Sequence, residues 1–560
     1  MRKFYALMFA AALAGSAQAQ VMEKFKDVTF SKFSPNGDWL VENLQGTMQV
    51  LQRSTGAEYS SADPDGLLMY GPGLGQSITN TGIIVGMNGD YAGIWQDGEW
   101  TDLPQTTGIG TTYNTAHAIT PDASRICGVL GNDGAMIGGE MTKAMAYPVV
   151  WNKKSNGDYE LVTLPYPEKD FAGCIPQYVT AVVMSDDGRT VVGQVRDYSG
   201  FFTMPIVYTE AADGTWSYRM IGESWVYDKT KIDELPPMPT SPTYPQASDY
   251  MSEDDVDKYN EAMDYYNEQM DLYYQGIIDT YPDYPMESDY ISDAGQKAAY
   301  EAAITKYNED VRQFNTDYTN YVTKRDEIVT NKDFMQNALY LTSDGRYLGV
   351  TLSDRNSADD WGGSAEQTVG YFDLSQENPD FVEATEPGDY IVTGILNDGT
   401  MLYASPSMEN TRNSFVALPD ANKTKLTFGK YIEQRNAAAG KWLADNNTYD
   451  VTIWGFDDDW NPIVEDVVKD SLVTGTVSAS ADGKVFVSYY TDSFTDSDIS
   501  APLSYMIDLS DVTGIGSVAA EQKWATKPRY YNMQGQQLPM APASGLYIEC
   551  KDGKNIKVAK

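Results

Sequence analysis

One local pattern recurs along this chain and limits what it can fold into: an apolar stretch, a Ser/Thr/Asn-x-Asp/Asn-Gly turn, then a β-branched run that often closes on glycine. Clear copies occupy 118–131, 181–195 and 338–350, and looser ones 33–41, 77–86, 394–404 and 477–490. The turn glycine, or an alanine in its place, falls at Gly37, Gly82, Ala123, Gly188, Gly345, Gly399 and Gly483, with spacings of 45, 41, 65, 157, 54 and 84. Asp-Gly between alternating apolar runs is a strong hairpin signal, because glycine accepts the positive φ of a tight turn. Units repeated at this spacing stack so that neighbours bury what each cannot bury alone.

A second recurring pair lies between these hairpins: an aromatic strand, a polar turn, then a strand ending on Leu, Ile or Leu-Pro. Examples are 91–104, 146–165 and 204–221. Four strands per roughly 40–50 residues is the period of a propeller blade. The expected fold is therefore mainly β, a seven-bladed β-propeller; a two-sheet sandwich would not explain the spacing. The stretches from about 70 to 220, and less closely from 335 to 510, resemble the extracellular HAF-repeat propellers. Their unit pairs an Ala-aromatic-x-Trp strand with an A-x-I-[ST/N]-x-[DS]-G-x-[VI]-V-G strand. The resemblance implies a fold and no single activity.

The 157-residue gap holds one blade and about 110 further residues, 225–335, of different composition. Prolines 236, 237, 239, 242 and 245 open it. Val256, Tyr259, Met263, Tyr266, Met270, Tyr273 and Ile277 then step by threes and fours, a heptad seam. Ser252 and Asp255 form a capping pair ahead of it. A second seam runs Tyr300, Ile304, Tyr307, Val311, Phe314, Tyr318 and Tyr321, with Arg325 interrupting before Ile328. The two seams match at an offset of 41, and Thr-Tyr-Pro and Ser-Asp-Tyr precede each. An internal duplication forming an antiparallel helical hairpin is expected, its first helix ~35–40 Å long.

At the N-terminus, Arg2 and Lys3, an apolar run from Phe4 to Ala14 and Ala17-Gln18-Ala19 form a secretory signal pattern. The run is too short to span a bilayer, and no later stretch approaches ~20 apolar residues. The C-terminal residues 530–560 carry Tyr531-Asn532, Gly535-Gln536, Gly545-Leu546-Tyr547-Ile548, Gly553-Lys554 and a basic end from Lys557 to Lys560. This segment resembles the sorting signal of Bacteroidetes type IX secretion, which implies a small β module and export to the surface. The expected organisation is a signal peptide at 1–19, propeller at 20–224 and 336–514, the insertion at 225–335, and the sorting-like module at 515–560. A secreted or cell-surface location is expected, with the periplasm as the alternative.

Eighty acidic residues against 40 basic ones give a net charge of −40. No basic face is available for phosphate contacts, so a nucleic-acid partner is excluded. Hydrophobic content of 42% distinguishes this acidity from that of a disordered chain. Of three cysteines, Cys127 sits in an apolar strand, Cys174 is its one candidate partner and Cys550 has none; a disulfide is not expected.

Catalytic and cofactor motifs weigh little. His117, the single histidine, opens a repeat strand and lacks the partners of a zinc site or a serine triad. Gly71-Pro72-Gly73-Leu74-Gly75 precedes a strand pattern, where a dinucleotide loop needs a helix N-terminus. The 212–218 stretch reads as a turn between outer strands. Asp457-Asp458-Asp459 with Trp460 and Asn461 offers clustered oxygens of the kind calcium takes; a solvated acidic loop is the plainer reading, and no other cofactor is expected. Trp95, Trp151 and Tyr208 fill equivalent repeat positions and are assigned to the core.

The segment between the helices, 280–292, is more suggestive. Tyr281, Tyr284 and Tyr290 should lie near the hairpin tip, stiffened by Pro282 and Pro285, and tyrosine offers large contact area at low entropy cost. These three are the candidate partner-binding residues. The function expected is a noncatalytic exported propeller binding a protein or glycan at the bacterial cell surface. The alternative is a carbohydrate-active hydrolase or lyase using carboxylates in the propeller funnel.

Overall fold

The computed structural model describes residues 21–510 apart from a few single positions and the stretches 62–73, 106–113, 132–135, 138–139, 142–145, 169–175, 197–202, 358–364, 406–412, 420–423, 458–460 and 490–502. Beyond residue 528 it describes the strands of a C-terminal sheet. The signal-like segment, Gly71-Pro72-Gly73, Cys174, Asp458, Asp459 and Trp460 lie outside the described residues. The described chain is mainly β, its strands paired antiparallel except where Ala146–Lys153 meets Tyr178–Val179 in parallel within a nine-stranded sheet, and divides into two compact units: 1–89, 93–101 and 390–560, and 90–92 with 102–389.

The first unit carries the turns at Gly37, Gly82, Gly399 and Gly483, each with positive φ and each within a four-stranded antiparallel sheet. A sheet of Lys32–Phe33, Trp39–Leu44, Thr47–Gln52 and Ala57–Ser61 packs Trp39, Val41, Met48 and Val50 against Ile78, Ile84 and Trp95 of the following sheet. The last repeat, Thr476–Ala479, Val485–Tyr489 and Leu503–Asp508, supplies three strands only. Val21–Lys26 adds the fourth by pairing antiparallel with Leu503–Asp508. The 84-residue interval before Gly483 is explained by helices Phe428–Arg435 and Ala437–Asn446 and a long hairpin, Thr448–Phe456 with Pro462–Leu472. Arg529–Tyr531, Gln537–Leu538, Leu546–Lys551 and Lys554–Ala559 form a separate antiparallel sheet, as the turn glycines of that segment suggest.

The second unit carries the turns at Ala123, Gly188 and Gly345, and Ala123 adopts the same left-handed backbone, φ 56°. The turn chemistry is shared. Thr120, Ser185 and Thr342 each donate a side-chain hydroxyl to an aspartate two residues on, and accept the backbone N–H five residues on. Each backbone carbonyl also accepts the N–H of the left-handed residue. These hydroxyl residues are buried, so their own polar groups are satisfied within the turn. Trp151 and Tyr208 are fully buried, and the Trp151 indole N–H donates to the Pro104 carbonyl at 2.8 Å. Cys127 is a free, buried thiol, pushed up to about 12 by burial.

Arg125 clamps two neighbouring strand groups of this unit. Its Nε donates to Asn152 at 2.6 Å, its Nη1 to the Gly188 carbonyl at 2.9 Å, and both Nη atoms to Glu210 at 2.8 and 3.0 Å. The guanidinium also lies 5.4 Å from the Trp216 ring centroid.

The insertion is rooted in a core of Val226, Tyr227, Tyr321, Ile328, Phe334, Leu348 and Phe372. It holds helices Glu253–Tyr274 and Ala294–Asp326, of 22 and 33 residues, thus about 33 and 50 Å long. The first ends before Ile277, which is exposed, and the second before Ile328, which is buried in the root. Arg325 does not break the second helix; it is buried on it.

The heptad seams do not meet each other. Each tyrosine face is covered by an extended, proline-bearing segment instead, and the segments are exchanged. Tyr244 and Tyr250, ahead of the first helix, pack on Tyr307 and Tyr300 of the second. Tyr281, Tyr284 and Tyr290, ahead of the second, pack on Tyr273, Tyr266 and Tyr259 of the first. The chain so forms two sister modules, each a helix with an antiparallel extended strap. The side-by-side hairpin expected from the heptads is replaced because prolines fit the extended straps and tyrosine rings fill the spaces between them.

Candidate interaction cleft

The distal module begins at a junction where both helices start. Ser252 and Asp255 form the capping box foreseen from their spacing: the Ser252 hydroxyl accepts the Asp255 N–H, and Asp255 accepts the Ser252 N–H. The same Asp255 oxygen accepts the Ser292 N–H at 3.3 Å, tying the returning strap to the start of the first helix. Hydrogen bonding, from Ser292 foremost, holds the Asp255 carboxyl well below the usual carboxylate range. Asp293 caps the second helix by accepting the Gln296 N–H at 2.8 Å.

From this junction the strap runs back along Glu253–Tyr274 as three edge-to-face tyrosine pairs with centroids 5.2–5.6 Å apart: Tyr273–Tyr281 (5.3 Å), Tyr266–Tyr284 (5.2 Å) and Tyr259–Tyr290 (5.6 Å). Such pairs add about 0.5–1.5 kcal/mol each beyond area burial. Tyr259 and Tyr266 are pushed up to about 12, by hydrogen bonds with Tyr284 and Tyr281 respectively and then by burial. The phenols are thus neutral donors and acceptors at ordinary pH.

Between helix and strap lies an open cleft of about 730 Å³. Tyr265, Tyr266, Tyr281, Tyr284 and Tyr290 line it together with Asp279, Asp283, Asp289, Met286 and Pro282, and no lysine or arginine is among its lining residues. Tyr265 is 63% exposed, Tyr281 56%, Tyr284 54% and Met286 58%, a concentration of solvent-facing apolar surface. The three tyrosines singled out from the sequence therefore come together in one cleft. They lie along the helix flank and not at the tip, which is Gln275–Ile277. Tyr265 is the lining residue that the heptad reading passed over. It falls off the seam, and its exposure is the signal.

The other candidates separate from this cleft. His117 is half-buried at a register shift between Ala116 and Ala118 in strand Thr115–Ile119. Among the described residues no group of three His, Cys, Asp or Glu side chains is placed to hold a metal. Asp457 accepts the Asn461 backbone N–H at 2.8 Å and serves as a turn acceptor. The 212–218 stretch is a turn with Gly214 at positive φ, leading into strand Trp216–Met220.

No family model matches the chain, and no curated protein matches it in sequence. Among solved structures it is similar to the hydrazine synthase of Kuenenia stuttgartiensis, at 11% identity and a TM-score of 0.37 over 89% of this chain and 100% of that one. An oligogalacturonate lyase from Vibrio parahaemolyticus matches at 9% identity and a TM-score of 0.39, over 90% and 97% of the two chains. A putative TolB from Agrobacterium tumefaciens matches at 10% identity and a TM-score of 0.27, over 65% and 83%. Likenesses this shallow assign no activity. No helix among the described residues is long and apolar enough to cross a membrane.

Proposed function

We propose that this chain is an exported, noncatalytic β-propeller of seven blades that binds a protein or glycan partner at a bacterial cell surface. The partner would sit in the distal cleft. Seven turn repeats support the blade count, four of them in four-stranded antiparallel sheets, two in one nine-stranded sheet and one in a five-stranded sheet, and Val21–Lys26 supports closure of the last blade by the opposite end of the chain. The resemblance to HAF repeats fits the same architecture. The signal pattern and the sorting-like tail support export. The observation that carries the binding role is the exposed tyrosine cleft, since tyrosine anchors are typical of recognition surfaces.

The test incubates purified residues 20–560 with a panel of host and dietary polysaccharides and arrayed surface proteins. Retention of an unshortened partner is expected, and its loss in Tyr265→Ala/Tyr281→Ala. Shortened polysaccharide products would overturn the noncatalytic role. Retention unchanged in the variant would move the site off the cleft.

A further inference from the structure

The duplication provides an internal control for what the cleft is for. The sister modules share their scaffold: at an offset of 40, Tyr244, Pro245 and Tyr250 of one strap become Tyr284, Pro285 and Tyr290 of the other. At an offset of 41, Tyr259 and Tyr266 of one helix become Tyr300 and Tyr307 of the other. The lining does not follow. Where the proximal strap has Pro239, Ser241 and Thr243, the distal strap has Asp279, Tyr281 and Asp283. Where the proximal helix carries the ion pair of Lys306 with Asp310, the distal helix carries Tyr265 and Gln269. Two strap–helix tyrosine pairs recur in both modules, so packing does not account for Tyr265, Asp279 or Asp283; Tyr281 has a packing partner besides, Tyr273. The distal cleft thus differs by two exposed rings and two strap carboxylates, and Tyr265 stands where the sister helix has a cation; only Gln269, the counterpart of Asp310, runs the other way.

We infer that the distal cleft takes a cationic, extended protein segment, an arginine or lysine side chain entering between Tyr265 and Tyr281 with Asp279 and Asp283 beside it. The inference rests on the binding role proposed above and names the partner's chemistry. Charge complementarity carries it: the lining holds three aspartates and no cation, on a chain of net charge −40. Tyrosine faces attract a guanidinium or ammonium through the ring quadrupole. An acidic glycan would meet uncompensated carboxylates, and a neutral glycan could hydrogen-bond to the aspartates but would gain nothing from their charge. The volume of about 730 Å³ suits a few side chains of a short segment.

The probe is a fluorescein-labelled peptide of alternating arginine and glycine, read by anisotropy on residues 20–560, with its arginine→citrulline counterpart as the neutral isostere. The arginine peptide is expected to bind at least about tenfold tighter than the citrulline one. The variant Tyr265→Lys/Asp279→Asn/Asp283→Thr alters the exposed lining and leaves all three strap–helix tyrosine pairs in place. It should abolish that preference while leaving far-ultraviolet circular dichroism unchanged. Asp310→Asn/Asp317→Asn, on exposed positions of the other helix, neutralises two charges and should leave the affinity unchanged. Equal affinity for both peptides, or an equal loss in both variants, would overturn the inference in favour of diffuse attraction to an acidic surface. A neutral oligosaccharide bound in a manner sensitive to the cleft variant would also overturn it, while leaving the proposed binding role intact. Binding of neither peptide nor any arrayed partner by the unsubstituted chain would count against both.

Discussion

Replacing Arg125 by alanine removes a clamp whose partners are all in place. Its guanidinium serves Asn152, the Gly188 carbonyl and both oxygens of Glu210, with the two charged side chains only 17% and 15% exposed. Truncation leaves the Glu210 carboxylate largely out of water without its counter-ion. Stranding one partner of a fully buried pair costs about 3–5 kcal/mol, and the residual exposure here argues for the lower end, about 3 kcal/mol. Arg125→Lys keeps the charge and loses the fork, so a loss about half as large is expected. In Arg125→Met/Glu210→Leu the stranded charge is absent, and most of the loss should be recovered. Hydrogen exchange by mass spectrometry reads the effect in Arg125–Gly131 and Thr203–Glu210. About 3 kcal/mol corresponds to amide exchange roughly a hundredfold faster where opening limits it. A change below about threefold in Arg125→Ala, or strictly additive single and double variants, would refute the clamp.

Other consequences follow from the turns and the straps. Ala123 holds φ 56° where six sister turns have glycine, so Ala123→Gly should stabilise by about 0.5–1 kcal/mol. Gly82→Ala should destabilise by at least about 2 kcal/mol in thermal melts, because a Cβ there would lie 2.3 Å from the Trp39 ring. The Asp255 carboxyl is depressed by its hydrogen bonds, so its contribution is present above the unfolded value of about 4 and is lost as pH falls through the folded value. Asp255→Asn should flatten the acid limb of insertion stability, monitored by helical circular dichroism. Tyr259, Tyr266 and Tyr300 are raised to about 12, so their contribution is intact below pH ~10 and lost as pH rises through 12. Ultraviolet titration should therefore show a late-ionising tyrosine class that disappears in a chain unfolded by urea.

The repeat turns were legible because their chemistry is local. A hydroxyl, an aspartate two residues on and a left-handed residue close the turn unaided, which is why even Ala123 could be placed in register with the glycines. The capping box at Ser252 and Asp255 was legible for the same reason. The role of Val21–Lys26 was not, because it pairs with Leu503–Asp508 at the far end of the chain and carries no turn signal. The exchange of straps was also hidden. A heptad of tyrosines fixes which face of a helix is covered and says nothing of what covers it. The same limit explains why Tyr281, Tyr284 and Tyr290 could be singled out as a group while their helix-side neighbour Tyr265 could not.

Hydrogen exchange of the intact chain with and without the arginine peptide tests the central claim most directly, because it locates the contact instead of inferring it from loss. Protection confined to the Ile278–Tyr290 strap and the Tyr259–Gln269 face of the helix is the expected result. Protection spread over the acidic surface, or centred on the sheets with the strap unchanged, would contradict it.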